Sequence, residues 1–186
     1  MAKKKLPPLH LAASDDDLRP ALMHIEIKKG IATATNAHLI AQLNLAEYSE
    51  LDDETIKLLN GKLIHKDVWQ ELADADVITV EEDTIHYAKG GIRATVDISC
   101  TYKFPDYKTI INAVANSLFD KKSFICFNPE FIAIAKKIFP SENLIMRFYE
   151  NHDMMLIFPS GEAKGFVGIM PLKISEEEAV IDFSLS

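Results

Sequence analysis

Long apolar runs are absent from this 186-residue chain. No stretch approaches the ~20 residues that cross a bilayer as a helix, so no membrane association is expected. The start, residues 1–8, carries Lys3, Lys4 and Lys5 but no apolar segment behind them, and does not read as a secretory signal. Cysteine is scarce: Cys100 and Cys126 stand alone, without the spacing of a zinc site or a redox pair. They read as buried free thiols in a reducing cytoplasm, the compartment expected for the chain. Catalytic signatures are missing as well. There is no glycine-rich phosphate loop, no His-Glu-x-x-His and no G-x-S-x-G elbow, and neither a metal nor a cofactor is expected. Basic residues are outnumbered, 20 Lys and Arg against 28 Asp and Glu, for a net charge of −8. That balance excludes a protein that wraps nucleic acid with its whole surface, while leaving room for a locally basic face.

What is present is the material of a folded domain: 48% hydrophobic residues and 26% charged ones. Residues 9–12 read as a short strand, followed by a polar turn at 14–17. Residues 21–28 and 31–35 alternate around Lys29-Gly30, a two-residue hairpin signal, with a further strand over 38–45. Residues 48–60 suggest a turn of helix stopped by Gly61. A strand at 63–65 then leads into a helix over 66–74, whose Val68, Trp69 and Leu72 share one face. Strands follow at 77–80, 84–88 and 92–101. Pro105 ends that run, flanked by Phe104 and Tyr107, one of them tucked beneath the break and the other on a surface.

The same order then recurs. A strand at 123–127 precedes a helix that starts at Asn128-Pro129-Glu130 and buries Phe131, Ile134, Ala135 and Ile138. Strands at 143–149, 154–158 and 165–174 follow, with one more expected at 179–183. The repeat of strand, helix and three strands predicts an α+β fold of antiparallel sheets. It divides the chain into a tail at 1–8, a partial unit lacking its helix at 9–62, a second unit at 63–111, a third at 112–174 and a tail at 175–186. Three units leave a sheet edge open, which predicts a homo-oligomer joined through edges, the strand at 179–183 covering one edge being the alternative.

Few residues call for chemistry. Asp15, Asp16 and Asp17 point in different directions from one turn and read as a solvated loop rather than a metal site. The six histidines are scattered. His38 and Asp106, with Asp97, are the set a small hydrolase-like enzyme would use, and nothing in their spacing requires it. More distinctive are small and apolar residues beside turns, at 35–40 and again at 169–173, where Met170, Pro171 and Leu172 are consecutive.

In order, these stretches resemble the bacterial DNA polymerase III beta subunit, the replicative sliding clamp. Residues 14–22, Ser-Asp-Asp-Asp-Leu-Arg-Pro-Ala-Leu, resemble its S-x-D-x-x-R-P-x-L, and residues 34–41 its A-T-D-G-H-R-L-A. Residues 103–110 resemble F-P-D-Y-R-R-V, 127–129 its F-N helix start, and 167–174 its closing V-V-M-P-M-R-L. The likeness spans about residues 9–174. It implies a DNA-clamp-like fold and a non-enzymatic role in replication, with DNA and polymerase or other clamp-motif proteins as partners. It also implies a hydrophobic pocket for linear peptide motifs. Thr35, Ala37, His38, Leu39 and Ile40 would form one wall. Pro105, Lys108 and Ile110 would form a second, with Met170, Pro171, Leu172 and Lys173 the third. Lys136 and Lys137 on the later helix are the candidate DNA contacts. The chain departs from the family pattern in having Asn36-Ala37 for Asp-Gly and Leu39 for Arg. His65 stands where the family often has Pro. Its 66–74 helix bears Asp67, Glu71 and Asp74, where clamp pore helices are basic, and the chain is about half a clamp protomer. An accessory that binds a clamp or its peptides without encircling DNA is the alternative, and an α+β module matching by coincidence is a third reading.

Overall fold

Alternation of apolar and small residues with polar ones sets the frame. In β1 (His24–Lys28), β2 (Ile31–Thr35) and β3 (Leu39–Asn44), the residues Ile25, Ile27, Ala32, Ala34, Leu39, Ala41 and Leu43 fall on one face, and all are buried. Lys29 and Gly30 join β1 to β2 with φ of 54° and 75°, both left-handed as a tight hairpin of this kind requires. A computed structural model of the chain describes residues 6–109, 111, 125–140, 143–148, 154–161 and 164–172. The strands expected at 123–127 and 179–183 lie partly or wholly outside these residues. So do the turn near 151, Ile110 and Lys173.

The architecture is α+β, with two antiparallel sheets. The larger has seven strands in the order β4-β1-β2-β3-β10-β9-β8, where β4 is Leu63–His65, β8 Leu144–Phe148, β9 Met155–Pro159 and β10 Gly165–Ile169. The smaller holds β5 (Val77–Glu81), β6 (Thr84–Lys89) and β7 (Ile92–Asp97). Residues 130 positions apart in sequence therefore pair, Leu39 of β3 opposite Ile169 of β10. Gly165 makes that pairing possible beside a helix end. A Cβ there would lie 2.9 Å from both the Gln42 carbonyl oxygen and the Phe139 ring.

Among the described residues, four short α-helices accompany the sheets: α1 (Leu45–Tyr48), α2 (Asp53–Leu58), α3 (Lys66–Ala73) and α4 (Glu130–Ile138). The Asp52 carboxylate caps α2 by accepting from Thr55 N at 2.7 Å. Asn128 accepts from Glu130 N at the start of α4. The principal core lies against one face of the large sheet. Trp69 and Leu72 of α3, Ile138 of α4 with Phe139 behind it, and Val80 and Ile85 of the small sheet all enter it. Trp69 is wholly buried, and its indole N–H donates to the Pro7 carbonyl at 2.7 Å.

Four expectations are corrected. Residues 9–12 form a 3₁₀ helix (Leu9–Ala12) rather than a strand, because Pro7 and Pro8 present their carbonyls to Leu9 N and Leu11 N at 2.8 and 3.2 Å. Leu6 is 1% exposed and packs into the core, so residues 6–8 of the segment expected as a tail are part of the folded body. The strand expected over 92–101 stops at Asp97, well before Pro105. There the carboxylate accepts from Ser99 N at 2.7 Å, and Ile98 N donates to Asp83 O at 2.7 Å, which turns the chain. Cys100 and Cys126 are free but half-exposed rather than buried.

Two histidines make the fold sensitive to acid. Burial holds the His24 imidazole below its ordinary value of 6.5, with the neighbouring His65 ring adding to the effect. Its Nδ1–H bond to the Pro20 carbonyl at 2.7 Å opposes the shift. Burial lowers His10 in the same direction, and its Nδ1 has no partner among the described residues. The unfolded chain thus binds protons that the folded chain does not. Stability is fully present above pH 6.5 and is lost as pH falls below it. Thermal melts between pH 7.5 and 5 are expected to show a falling midpoint, with the slope reduced in His24→Gln. A midpoint that rises on acidification would contradict this.

Candidate peptide cleft

The second face of the large sheet carries the residues that point away from the principal core. Glu26, Thr33 and Gln42 lie side by side across β1, β2 and β3, since Glu26 pairs with Thr33 and Thr33 with Gln42. Tyr107 reaches over all three. Its hydroxyl donates to Glu26 Oε2 at 3.2 Å and lies 3.1 Å from Thr33 Oγ1 and 3.3 Å from Gln42 Nε2. Burial is the first cause that raises the Tyr107 phenol above its ordinary value, so it stays a neutral donor. Phe104 is buried beneath the segment and meets the Tyr107 ring edge-on, with centroids 5.9 Å apart. Of the two aromatics flanking Pro105, Phe104 is thus the one tucked under, and Tyr107 is a half-buried strap fastener.

Beside this strap the same face turns apolar. Ile40, Met154 and Leu156 are buried there, with Ile111, Phe158 and Phe166 packed against them. Between strap and sheet runs a cleft of about 320 Å³. Thr35, Ala37, His38, Leu39, Ile40, Pro105 and Met170 border it, together with Leu22, Asp106, Tyr107, Ile111, Met154 and Gly168. Gly168 makes room for it: a Cβ there would lie 2.8 Å from Met154 Sδ and 2.9 Å from Ile40 Cγ2.

The turn at one end is fixed by its own side chains. The Asn36 side-chain oxygen accepts from His38 N and Leu39 N at 3.0 and 2.7 Å, and Thr35 Oγ1 donates to Leu39 O at 2.8 Å. Ala37 takes φ of 76°, the left-handed region, which costs about 1 kcal/mol for a residue with a Cβ. The Asx bonds hold the turn in a shape that glycine would adopt more readily. Met170 N donates to His38 O at 2.9 Å and ties the third stretch to the first.

Of the residues singled out from sequence, the cleft thus gathers seven. Leu39 borders it but is 1% exposed and packs into the principal core. Lys108 lies on the other side of the strap, in a depression it shares with Glu26 and Lys28. Leu172 is 56% exposed and bridges to Cys126, and neither it nor Pro171 lines the cleft. Sequence reasoning missed Leu22, Met154 and Gly168. The first sits in the 14–22 motif; the other two carried no local signal, because only pairing of β10 with β3 and β9 brings them there.

His38 and Asp106 both border the cleft, but no hydrogen bond joins them among the described residues and the lining is chiefly apolar. Asp97 ends β7 in the other sheet. Lys136 and Lys137 are exposed on α4. Asp15 pairs with Lys66, and Asp16 with Arg19 at 3.5 Å. No group of three or more His, Cys, Asp or Glu among the described residues is arranged to hold a metal ion. No described helix is long and apolar enough to cross a membrane.

No protein-family model matches the sequence, and a search of curated proteins finds no match. Solved structures do resemble it. The DNA polymerase III subunit beta of Pseudomonas aeruginosa superposes with a TM-score of 0.58 at 14% identity, covering 90% of this chain and 63% of that one. A Pseudomonas aeruginosa sliding clamp with ligand gives 0.60 at 15%, covering 94% and 66%. The beta subunit of Thermotoga maritima gives 0.59 at 15%, covering 89% and 61%. The chain spans a little under two thirds of the length of these proteins. What it shares with them is the fold of the DNA polymerase III beta sliding clamps.

Proposed function

We propose that the chain is a non-enzymatic, cytoplasmic, clamp-like protein of DNA replication that binds linear peptide motifs in the cleft beneath the Tyr107 strap. The observation that carries this reading is convergence. Three stretches far apart in sequence, around residues 35–40, 105–111 and 168–170, border one apolar cleft on a clamp fold. An extended peptide buries one or two Leu or Phe anchors in such a slot, and a few well-packed side chains supply most of the affinity. Met170, 37% exposed at the rim, would close over the anchor. Self-association belongs to the same reading: β8 pairs only with β9 among the described residues and exposes Ile145 and Met146 at the edge of the large sheet.

The test is fluorescence anisotropy with a labelled peptide carrying a Leu and Phe anchor. The parent is expected to bind, and Met170→Ala to weaken binding about tenfold. Absence of binding by the parent would sink the cleft assignment and leave the fold intact.

A second reading, an accessory that binds clamp-motif peptides without encircling DNA, draws on α3. Asp67 and Glu71 on that helix, and Asp74 at its end, engage Lys66 and Lys89, so this face has no surplus of positive charge to attract phosphates. Retention on circular but not on linearised plasmid separates encirclement from the accessory role.

A further inference from the structure

We infer that the peptides taken by the cleft carry acidic residues beside their apolar anchor, seated in the depression on the far side of the Pro105–Asp106–Tyr107 ridge. This inference rests on the peptide reading of the cleft and specifies its ligand. The ridge is common to both hollows: Pro105, Asp106 and Tyr107 border the apolar cleft and also a second depression of about 460 Å³. A chain leaving the cleft over the ridge enters that depression.

Its charge is unlike that of the chain as a whole. Lys28, Lys103 and Lys108 line it, against Glu26 and Asp106. The lining thus sums to +1, three lysines less two carboxylates. Glu26 accepts the Tyr107 hydroxyl at 3.2 Å, and Asp106 accepts from Lys108 N at 3.2 Å. The three lysines are exposed and have no carboxylate partner among the described residues. Elsewhere Lys62, Lys66 and Lys89 are each paired with aspartate or glutamate. In a protein of net charge −8, a hollow whose lining sums to +1, with three ammonium groups free to turn toward a ligand, is a locally positive site suited to one or two carboxylates. That site complements a carboxylate on a peptide whose anchor sits next door. A polyphosphate backbone fits less well, because Glu26 and Asp106 lie within the same lining.

Exposed pairs of this kind are weak singly and screened by salt. The test compares peptides sharing one Leu and Phe anchor but flanked by Asp-Asp, Asn-Asn or Lys-Lys, placed on either side of it. Affinities are read by anisotropy at about 50 mM and about 500 mM salt. The Asp-Asp flank on one side is expected to bind about tenfold tighter than Asn-Asn at low salt, with the gain gone at high salt. The triple variant K28Q/K103Q/K108Q is expected to lose that gain while binding the Asn-Asn peptide as the parent does. Equal binding of Asp-Asp and Asn-Asn peptides, or preference for Lys-Lys, overturns this inference and leaves the cleft reading standing. No binding of any anchored peptide overturns both. Displacement of the Asp-Asp peptide by a single-stranded oligonucleotide, abolished by the triple variant, would assign the depression to phosphates instead.

Discussion

Gly168→Val is expected to remove binding of an anchored peptide, lowering affinity by about 30-fold or more, while the sheet remains assembled. Gly168 sits in β10 between Ile40 of β3 and Leu156 of β9, at the floor of the cleft. A Cβ alone would approach Met154 Sδ and Ile40 Cγ2 to less than 3 Å and Leu156 Cδ2 to 3.3 Å. The obstructing atoms belong to side chains rather than backbone. Met154 Sδ lies on a flexible chain and can turn aside, whereas the Ile40 Cγ2 methyl yields only by a change of χ1. Both side chains line the cleft, so their displacement changes its shape. Overpacking of this sort costs about 1–3 kcal/mol of stability, which a domain of this size tolerates. Losing a buried anchor contact costs about 2–4 kcal/mol of binding, which sets the expected loss in affinity. Gly168→Ala should fall between parent and valine. The measurement is peptide affinity alongside a thermal melt. A valine variant that binds like the parent would show that the cleft is not where the peptide sits.

Trp69→Ala acts on the fold instead. The side chain is wholly buried between the large sheet and the Leu6–Ala12 segment, and its truncation is expected to cost about 3–5 kcal/mol. The Pro7 carbonyl would lose the indole donor but keep Leu9 N at 2.8 Å, so the hydrogen bond adds only a minor part. At about 2–4 °C per kcal/mol for a chain of this length, the melting midpoint should drop by about 10 °C. Trp69→Phe should recover most of it, because ring volume rather than the N–H dominates. If alanine leaves the midpoint unchanged, the segment 6–12 does not dock as described. Peptide binding at a temperature where the variant is folded should be unaffected, which separates this prediction from the one at Gly168.

How far the sequence could be read follows from which forces are local. Alternation in 24–44 and the Lys29-Gly30 turn specify β1, β2 and their hairpin, since a period of two and a pair of left-handed φ values need no distant partner. The apolar spacing of Val68, Trp69 and Leu72 likewise specifies α3. The first element failed for a related reason. Residues 9–12 have the composition of a strand, yet the carbonyls of Pro7 and Pro8 bend them into a 3₁₀ turn. That turn is then held by the principal core.

For the candidate site, the three stretches that border the cleft are legible in the residues alone, through motifs that resemble a clamp in order and type. The sequence could not determine which residues within them face the cleft. Lys108 and Leu172 lie in the right stretches and point elsewhere, while Leu22, Met154 and Gly168 complete the lining. Tertiary structure decided this, because facing depends on pairing between β3 and β10, and a one-residue slip in register moves every side chain to the other side. It also decided the role of Tyr107. Glu26, Thr33 and Gln42 are unremarkable polar residues in sequence, and only adjacent strands in register line them up beneath one hydroxyl. Local periodicity sets the elements, whereas the cleft, its glycine floor and its strap exist only once distant strands have paired.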